Sequence, residues 1–192
     1  MDTKKAKTIY PVINIIQDRW SPRHYRIGTI TEPDLNTILE AASWSFSGGN
    51  LQPWYYLYAH RDTPGFSKIL DSLSPNNQVW AKNASVLMVG LAKKERDPGK
   101  PNLWSKHDLG AANMALILQA RSMDIYGHPM AGFNSLKIVE SLQIDTTVYE
   151  PVVCISLGYL GDPGLLDHAA REKELAVRTR KGLSEFSEKI NG

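Results

Sequence analysis

Cysteine is almost missing from the chain: among 192 residues only Cys154 is present. No intrachain disulfide can form and no Cys-rich metal site can be built, which fits a reducing, cytoplasmic setting. Cys154 lies in the apolar run Val152-Val153-Cys154-Ile155 and is expected in the core. A charge excess of either sign is also lacking. The formal net charge is +2, too small to imply nucleic acid or a membrane surface as partner. No apolar run approaches the ~20 residues of a membrane-spanning helix. Met1-Asp2-Thr3-Lys4-Lys5 is followed by no apolar region suited to a secretory signal. There is no internal repeat, no low-complexity tract and no Gly-x-Gly-x-x-Gly opening of a Rossmann cofactor site. The remainder is ordinary globular usage, 42% hydrophobic and 22% charged, sized for a single domain over residues 1–192.

Periodicity gives a mixed α/β reading. Ile9, Val12, Ile13 and Ile16 predict a first helix over 9–18. Thr31-Glu32-Pro33-Asp34 carries an N-cap, an early Pro and an acid in the first turn, so a helix starts there and shows Leu35, Ile38, Leu39 and Ala42 on one side. A strand over 54–60 and a short helix near 64–73 follow. Pro75 to Trp80 reads as a polar, amide-rich turn. Ala84 to Ala92 is a continuous apolar run of strand length, expected to be central and buried on both faces. Lys93 to Pro101 reads as a charged surface loop. Residues 104–123 are helical and apolar on more than one side, which predicts burial in the core or in a subunit interface. Asn134 opens another helix bearing Leu136, Ile138, Val139 and Leu142. Val152 to Tyr159 is a further buried strand, and 165–176 is helical.

Chemistry concentrates in three places. Ser43 to Trp54 reads Ser-Trp-Ser-Phe-Ser-Gly-Gly-Asn-Leu-Gln-Pro-Trp. In it, Ser47-Gly48-Gly49-Asn50 makes a small polar turn that lets a ligand approach the backbone, and Gln52 adds an amide donor and acceptor. Arg19-Trp20-Ser21-Pro22-Arg23 places two guanidinium groups and a hydroxyl within five residues, a set suited to an anion. Arg178-Thr179-Arg180-Lys181 supplies a second basic element near the other end of the chain. His128 invites a catalytic reading, although a histidine at a strand is more often structural.

The central string resembles the Ser-Gly-x-Asn-x-Gln-Pro-Trp signature of the FMN-dependent nitroreductase family. Arg19 to Arg23 is similar to the Arg-x-Ser-x-Arg/Lys element that opens such chains, and Pro129-Met130-Ala131-Gly132-Phe133 is similar to the family's Pro-x-x-Gly-Phe segment. The Gly158-Tyr159 strand end and the terminal basic pair extend the likeness over about residues 10–186. It implies an α+β (mixed α/β) fold, a central sheet flanked by helices, in a homodimer with two shared flavin sites. It implies FMN as cofactor, with Arg19, Ser21, Arg178 and Arg180 on the phosphate and Ser47, Asn50 and Gln52 on the ring and ribityl chain. Trp20, Gly48, Gly49 and Met130 belong to the same cofactor-binding set. The backbone N–H groups of Ala131 and Gly132 would meet flavin N5 and O4; some relatives have Glu where Ala131 stands, but the amide makes the contact. Arg23 would place positive charge near N1 and O2. The family's lysine near the pyrimidine edge has no clear equivalent in 75–80.

The resemblance further implies an oxidoreductase that draws on NAD(P)H and reduces nitroaromatics, quinones or similar acceptors in a ping-pong cycle. No protein acid–base residue and no metal is required, because the cofactor carries the chemistry. Alternatives are a same-fold flavoenzyme of other chemistry, reductive dehalogenation or flavin fragmentation, and a flavin-binding module without turnover.

Overall fold

A computed structural model describes residues 4–190. In chain order the elements are α1 (Asn14–Asp18), β1 (Tyr25–Arg26), α2 (Glu32–Ser43), β2 (Trp54–His60), α3 (Pro64–Ser72), α4 (Pro75–Ala81), β3 (Val86–Lys93), β4 (Glu95–Asp97), β5 (Lys100–Pro101), α5 (Ser105–Ser122), β6 (Ile125–Met130), α6 (Ser135–Leu142), β7 (Tyr149–Leu160) and α7 (His168–Leu175).

The apolar runs form the middle of one antiparallel sheet. β3 lies between β2 and β7, β6 pairs the other side of β7, and β1 pairs the last residues of β7. Strand residues alternate between faces, and the two cores follow that alternation. Leu87, Val89 and Leu91 of β3 join Trp20, Phe66 and Trp80 on one face. Val86 and Met88 join Leu35, Ile38 and Leu116 on the other. The sheet is thus sandwiched, with α3, α4 and α6 on one side and α2 and α5 on the other. The mixed α/β expectation holds, and β3 is buried on both faces as its unbroken apolar run requires.

Local signals explain the boundaries. The Thr31 hydroxyl accepts from the Asp34 N–H and caps α2, and Asn134 does the same for α6 through Lys137. Cys154 is fully buried, and burial pushes its thiol up to about 12. No helix among the described residues is long and apolar enough to cross a membrane.

Five local expectations need correction, and one is narrowed. Residues 75–81 form α4 rather than a turn, because Ser74-Pro75 is a helix start and Trp80-Ala81 pack into the core. The 93–101 stretch folds back on itself as the β4–β5 ribbon around Gly99, whose φ of 73° suits glycine. The first helix is only Asn14–Asp18, and Ile9 and Ile13 stay exposed. Leu136 also faces outward, so α6 buries Ile138 instead. The 165–176 helix starts late, at His168, after a 3-10 turn over Pro163–Leu165. Finally, α5 buries only one side within this chain, through Leu109, Ala112 and Leu116, while Met114 on the opposite side stays open.

Candidate functional site

The two basic elements from opposite ends of the chain meet. Burial lowers the pKa of Arg19, and the charges of Arg178 and Arg180 lower it further. Arg178 responds in the same way to burial and to Arg180. Three guanidinium groups therefore share one field. Among the described residues none of the three, nor Arg23, forms an ion pair with a carboxylate. Uncompensated positive charge of this kind favours a bound anion. Arg19 points toward the Ser21 hydroxyl, its Nη1 3.4 Å from Oγ. Arg178 donates to the carbonyls of Lys4 and Gln17, both at 2.9 Å. Arg180 donates to the carbonyl of its own neighbour, Thr179.

The 19–23 segment runs along β6. Trp20 is buried and meets Tyr126 edge-on, ring centroids 4.7 Å apart. Two residues on, the Pro22 carbonyl accepts from His128 Nδ1 at 2.8 Å. His128 is buried and stacked on Trp80, and desolvation drives its pKa down to about 4. A neutral imidazole spent on a backbone carbonyl holds the segment in place; it is not set up as an acid.

β6 ends at Met130, which is buried, and Ala131 and Gly132 then emerge exposed. Among the described residues neither amide N–H of this pair has a protein acceptor. The Gly132 carbonyl is instead fixed from below by the Ser74 N–H and by Asn77 Nδ2 at 3.1 Å. A Cβ at Gly132 would sit 3.0 Å from both the Ser74 hydroxyl and the Asn77 amide. Asn77, on α4, is thus a site residue that the turn reading of 75–80 obscured. A cavity of about 610 Å³ opens beside this pair, bounded by Ser74, Gln78 and Lys137.

The Ser47–Gln52 turn is locked from within. The Ser47 hydroxyl accepts the Gln52 N–H at 3.0 Å, and the Gln52 side-chain amide donates to the Asn50 carbonyl and Oδ1. Gly49, Asn50 and Gln52 all have positive φ, 60°, 54° and 48°. Two non-glycine residues so held mark strain of the type found at functional sites. The anchor comes from α5: buried Asp108 accepts the Gly48 N–H at 3.1 Å. Nothing in the sequence marks Asp108, since an acid in a first turn is ordinary; only its 2% exposure singles it out.

This turn does not stand beside Ala131–Gly132. It leads into β2, whereas those residues leave β6, and the strand order is β2, β3, β7, β6. Three interstrand steps of about 4.8 Å make about 14 Å across the sheet. Around the turn are exposed Trp44, Phe46 and Trp104, with a groove of about 470 Å³ between Leu51 and the β4–β5 ribbon. The residues foreseen as one site therefore fall on two surfaces of one chain: 19–23, 130–132 and 178–180 on the first, 47–52 on the second.

The chain is similar to known proteins in sequence and fold. The Nitroreductase family matches residues 16–63 and 58–159. A solved structure described as an oxidoreductase containing FMN superimposes with a TM-score of 0.90 at 33% identity, covering 96% of this chain and 94% of its own. A Bacillus subtilis (strain 168) protein named "Putative NAD(P)H nitroreductase YdgI" is 24% identical, over 79% of this chain and 90% of its own length. The structure of CLA-ER, an enone reductase of gut-bacterial fatty acid saturation, shares the fold at a TM-score of 0.76 and 17% identity, over 92% of this chain and 96% of its own.

Proposed function

The chain belongs to the nitroreductase family, and on that premise we propose that it is an FMN-dependent oxidoreductase that takes reducing equivalents from NAD(P)H and passes them, in a ping-pong cycle, to nitroaromatics, quinones or similar acceptors. The observation that carries this reading is the acid-free cluster of Arg19, Arg178 and Arg180, a ready site for a phosphate dianion. FMN supplies the hydride-transfer chemistry when bound.

The residues present fit that cofactor. Arg19 and Ser21 from one end of the chain, and Arg178 and Arg180 from the other, would hold the phosphate. The N–H groups of Ala131 and Gly132, without a protein acceptor among the described residues, would meet the ring, and Met130 and Trp20 are buried in the same core cluster. Arg23 is exposed and without a carboxylate partner, and it gives the site fixed positive charge at every neutral pH. No side chain needs to exchange a proton for these tasks.

The Ser47–Gln52 turn joins this site only from a second copy. It is about 14 Å across the sheet from Ala131 by strand spacing, and it is ringed by aromatic side chains exposed in the single chain. Met114 and Gly110 on the open side of α5 offer the small, apolar face such an association uses. A homodimer with two shared sites follows, with Ser47, Gly48, Gly49, Asn50 and Gln52 of one copy completing the site of the other.

Heat-denatured protein should release FMN rather than FAD, identified by chromatography. Colourless protein that takes up no added FMN contradicts the reading. Sedimentation of the loaded protein at micromolar concentration should give the dimer mass; a loaded monomer contradicts the shared site.

A further inference from the structure

The anion cluster depends on an arm. Arg178 and Arg180 lie beyond α7, near the end of the chain, and they reach Arg19 only while that arm is docked. Docking brings three like charges together: Arg178 and Arg180 both act on Arg19, and Arg180 acts on Arg178. Something must hold the arm down against that repulsion. The residue in position is Glu174, the one buried residue of α7, with 5% exposure.

Each carboxylate oxygen of Glu174 has its own donor on the 19–23 segment. Trp20 Nε1 donates to Oε1 at 3.4 Å, and the Arg23 backbone N–H donates to Oε2 at 3.1 Å. Neither bond neutralises a guanidinium, so the cluster keeps its charge for a ligand. The countercharge of Glu174 is Lys4: the carboxylate raises the Lys4 pKa against the burial that lowers it. Lys4 ties down the same arm by donating to the Ala176 carbonyl at 2.7 Å, and Arg178 returns a bond to the Lys4 carbonyl at 2.9 Å.

We propose that Glu174 is the positioning residue that sets the preference for a phosphorylated flavin over its phosphate-free counterpart, by pinning the Arg178–Arg180 arm against the Arg19–Arg23 segment. This rests on the FMN reading above and adds a residue and a selectivity to it. The phosphate and the pin act together: the dianion removes the repulsion that docking creates, and the pin keeps both arginines within its reach. Riboflavin has no phosphate and gains nothing from a docked arm.

The test is titration of flavin-free full chain with FMN and with riboflavin, for wild type, Glu174→Gln, Glu174→Asp and Arg19→Ala. Glu174→Gln keeps the shape but turns one acceptor into a donor that faces another donor. FMN affinity should fall about tenfold, the effect of one lost charge-assisted bond, while riboflavin affinity moves little. Glu174→Asp, charged but shorter, should fall between. Equal losses for both ligands make Glu174 a scaffold residue and overturn the proposal. Unchanged selectivity in Glu174→Gln with lost selectivity in Arg19→Ala overturns the proposal and leaves the FMN reading intact. A wild type that binds both flavins equally overturns both.

Trypsin gives a measurement that needs no variant. Cleavage after Arg178 and Arg180, followed by mass spectrometry, should be slowed by FMN and by inorganic phosphate but not by riboflavin. Equal protection by riboflavin overturns the proposal.

Discussion

His128 donates from Nδ1 to the carbonyl of Pro22 at 2.8 Å, tying the end of a core strand to the segment that carries Arg19 and Arg23. Burial is the main cause of its pKa near 4; the Pro22 bond pulls upward against it, and Arg23 and then Arg19 add smaller downward pushes. The folded value lies below the ordinary 6.5. The unfolded chain therefore binds a proton below pH 6.5 that the folded chain refuses until near pH 4. Stability is complete above 6.5 and falls with pH through that window, by up to about 1.4 kcal/mol per pH unit and about 3 kcal/mol in total. His128→Asn retains a donor near Nδ1 and does not titrate. Denaturant unfolding at pH 7 and pH 5 should show wild type losing more stability than the variant between the two. Equal losses would remove His128 from the acid response.

A second buried group carries the turn. Asp108 meets the Gly48 N–H with one oxygen and the His107 ring with the other. Asp108→Ala leaves the Gly48 amide without its acceptor and should cost about 1–3 kcal/mol. On the proposed shared site, the same change should weaken FMN binding beyond what the stability loss explains. Asp108→Asn keeps an acceptor for Gly48 and should cost less on both counts. Chemical unfolding and flavin titration on the two variants check this; unaltered FMN affinity in Asp108→Ala would detach the turn from the cofactor.

Much of the fold was legible in the sequence, for reasons that differ by element. Strand β3 could be read because burial on both faces demands an unbroken apolar run, and α2 because Thr31, Pro33 and Asp34 mark a helix start. Helix α4 was missed because Asn76, Asn77 and Gln78 look like turn residues, while the packing of Trp80 that makes the segment a helix is tertiary. With it went Asn77, which braces Gly132. Arg19, Arg178 and Arg180 were visible in the sequence as two basic runs, but only the fold brings the runs together. Glu174 and Asp108 were not, since their burial and the backbone N–H groups they accept exist only after folding. Nor could the sequence separate 47–52 from 130–132, because strand order, not spacing along the chain, puts the width of the sheet between them.

Arg23 should tune the cofactor rather than simply bind it. Its backbone is fixed by Glu174 and its guanidinium has no carboxylate partner among the described residues. A permanent cation beside the ring favours the reduced, more negative form. Arg23→Gln should lower the midpoint potential by about 30 mV, the equivalent of about 1.4 kcal/mol for a two-electron couple. Spectroelectrochemical titration of both proteins measures it. An unchanged potential with weaker oxidised-state binding would make Arg23 a phosphate or scaffold residue.

The proposed function is the passage of electrons from a reduced nicotinamide through bound FMN to a small acceptor. Anaerobic mixing of the purified, FMN-loaded protein with NADH or NADPH, followed by a nitroaromatic or a quinone, tests it most directly. The flavin absorbance should bleach with at least one nicotinamide and return when the acceptor is added. A flavin that stays oxidised in the presence of both nicotinamides, or that once reduced is reoxidised by no acceptor, would contradict it.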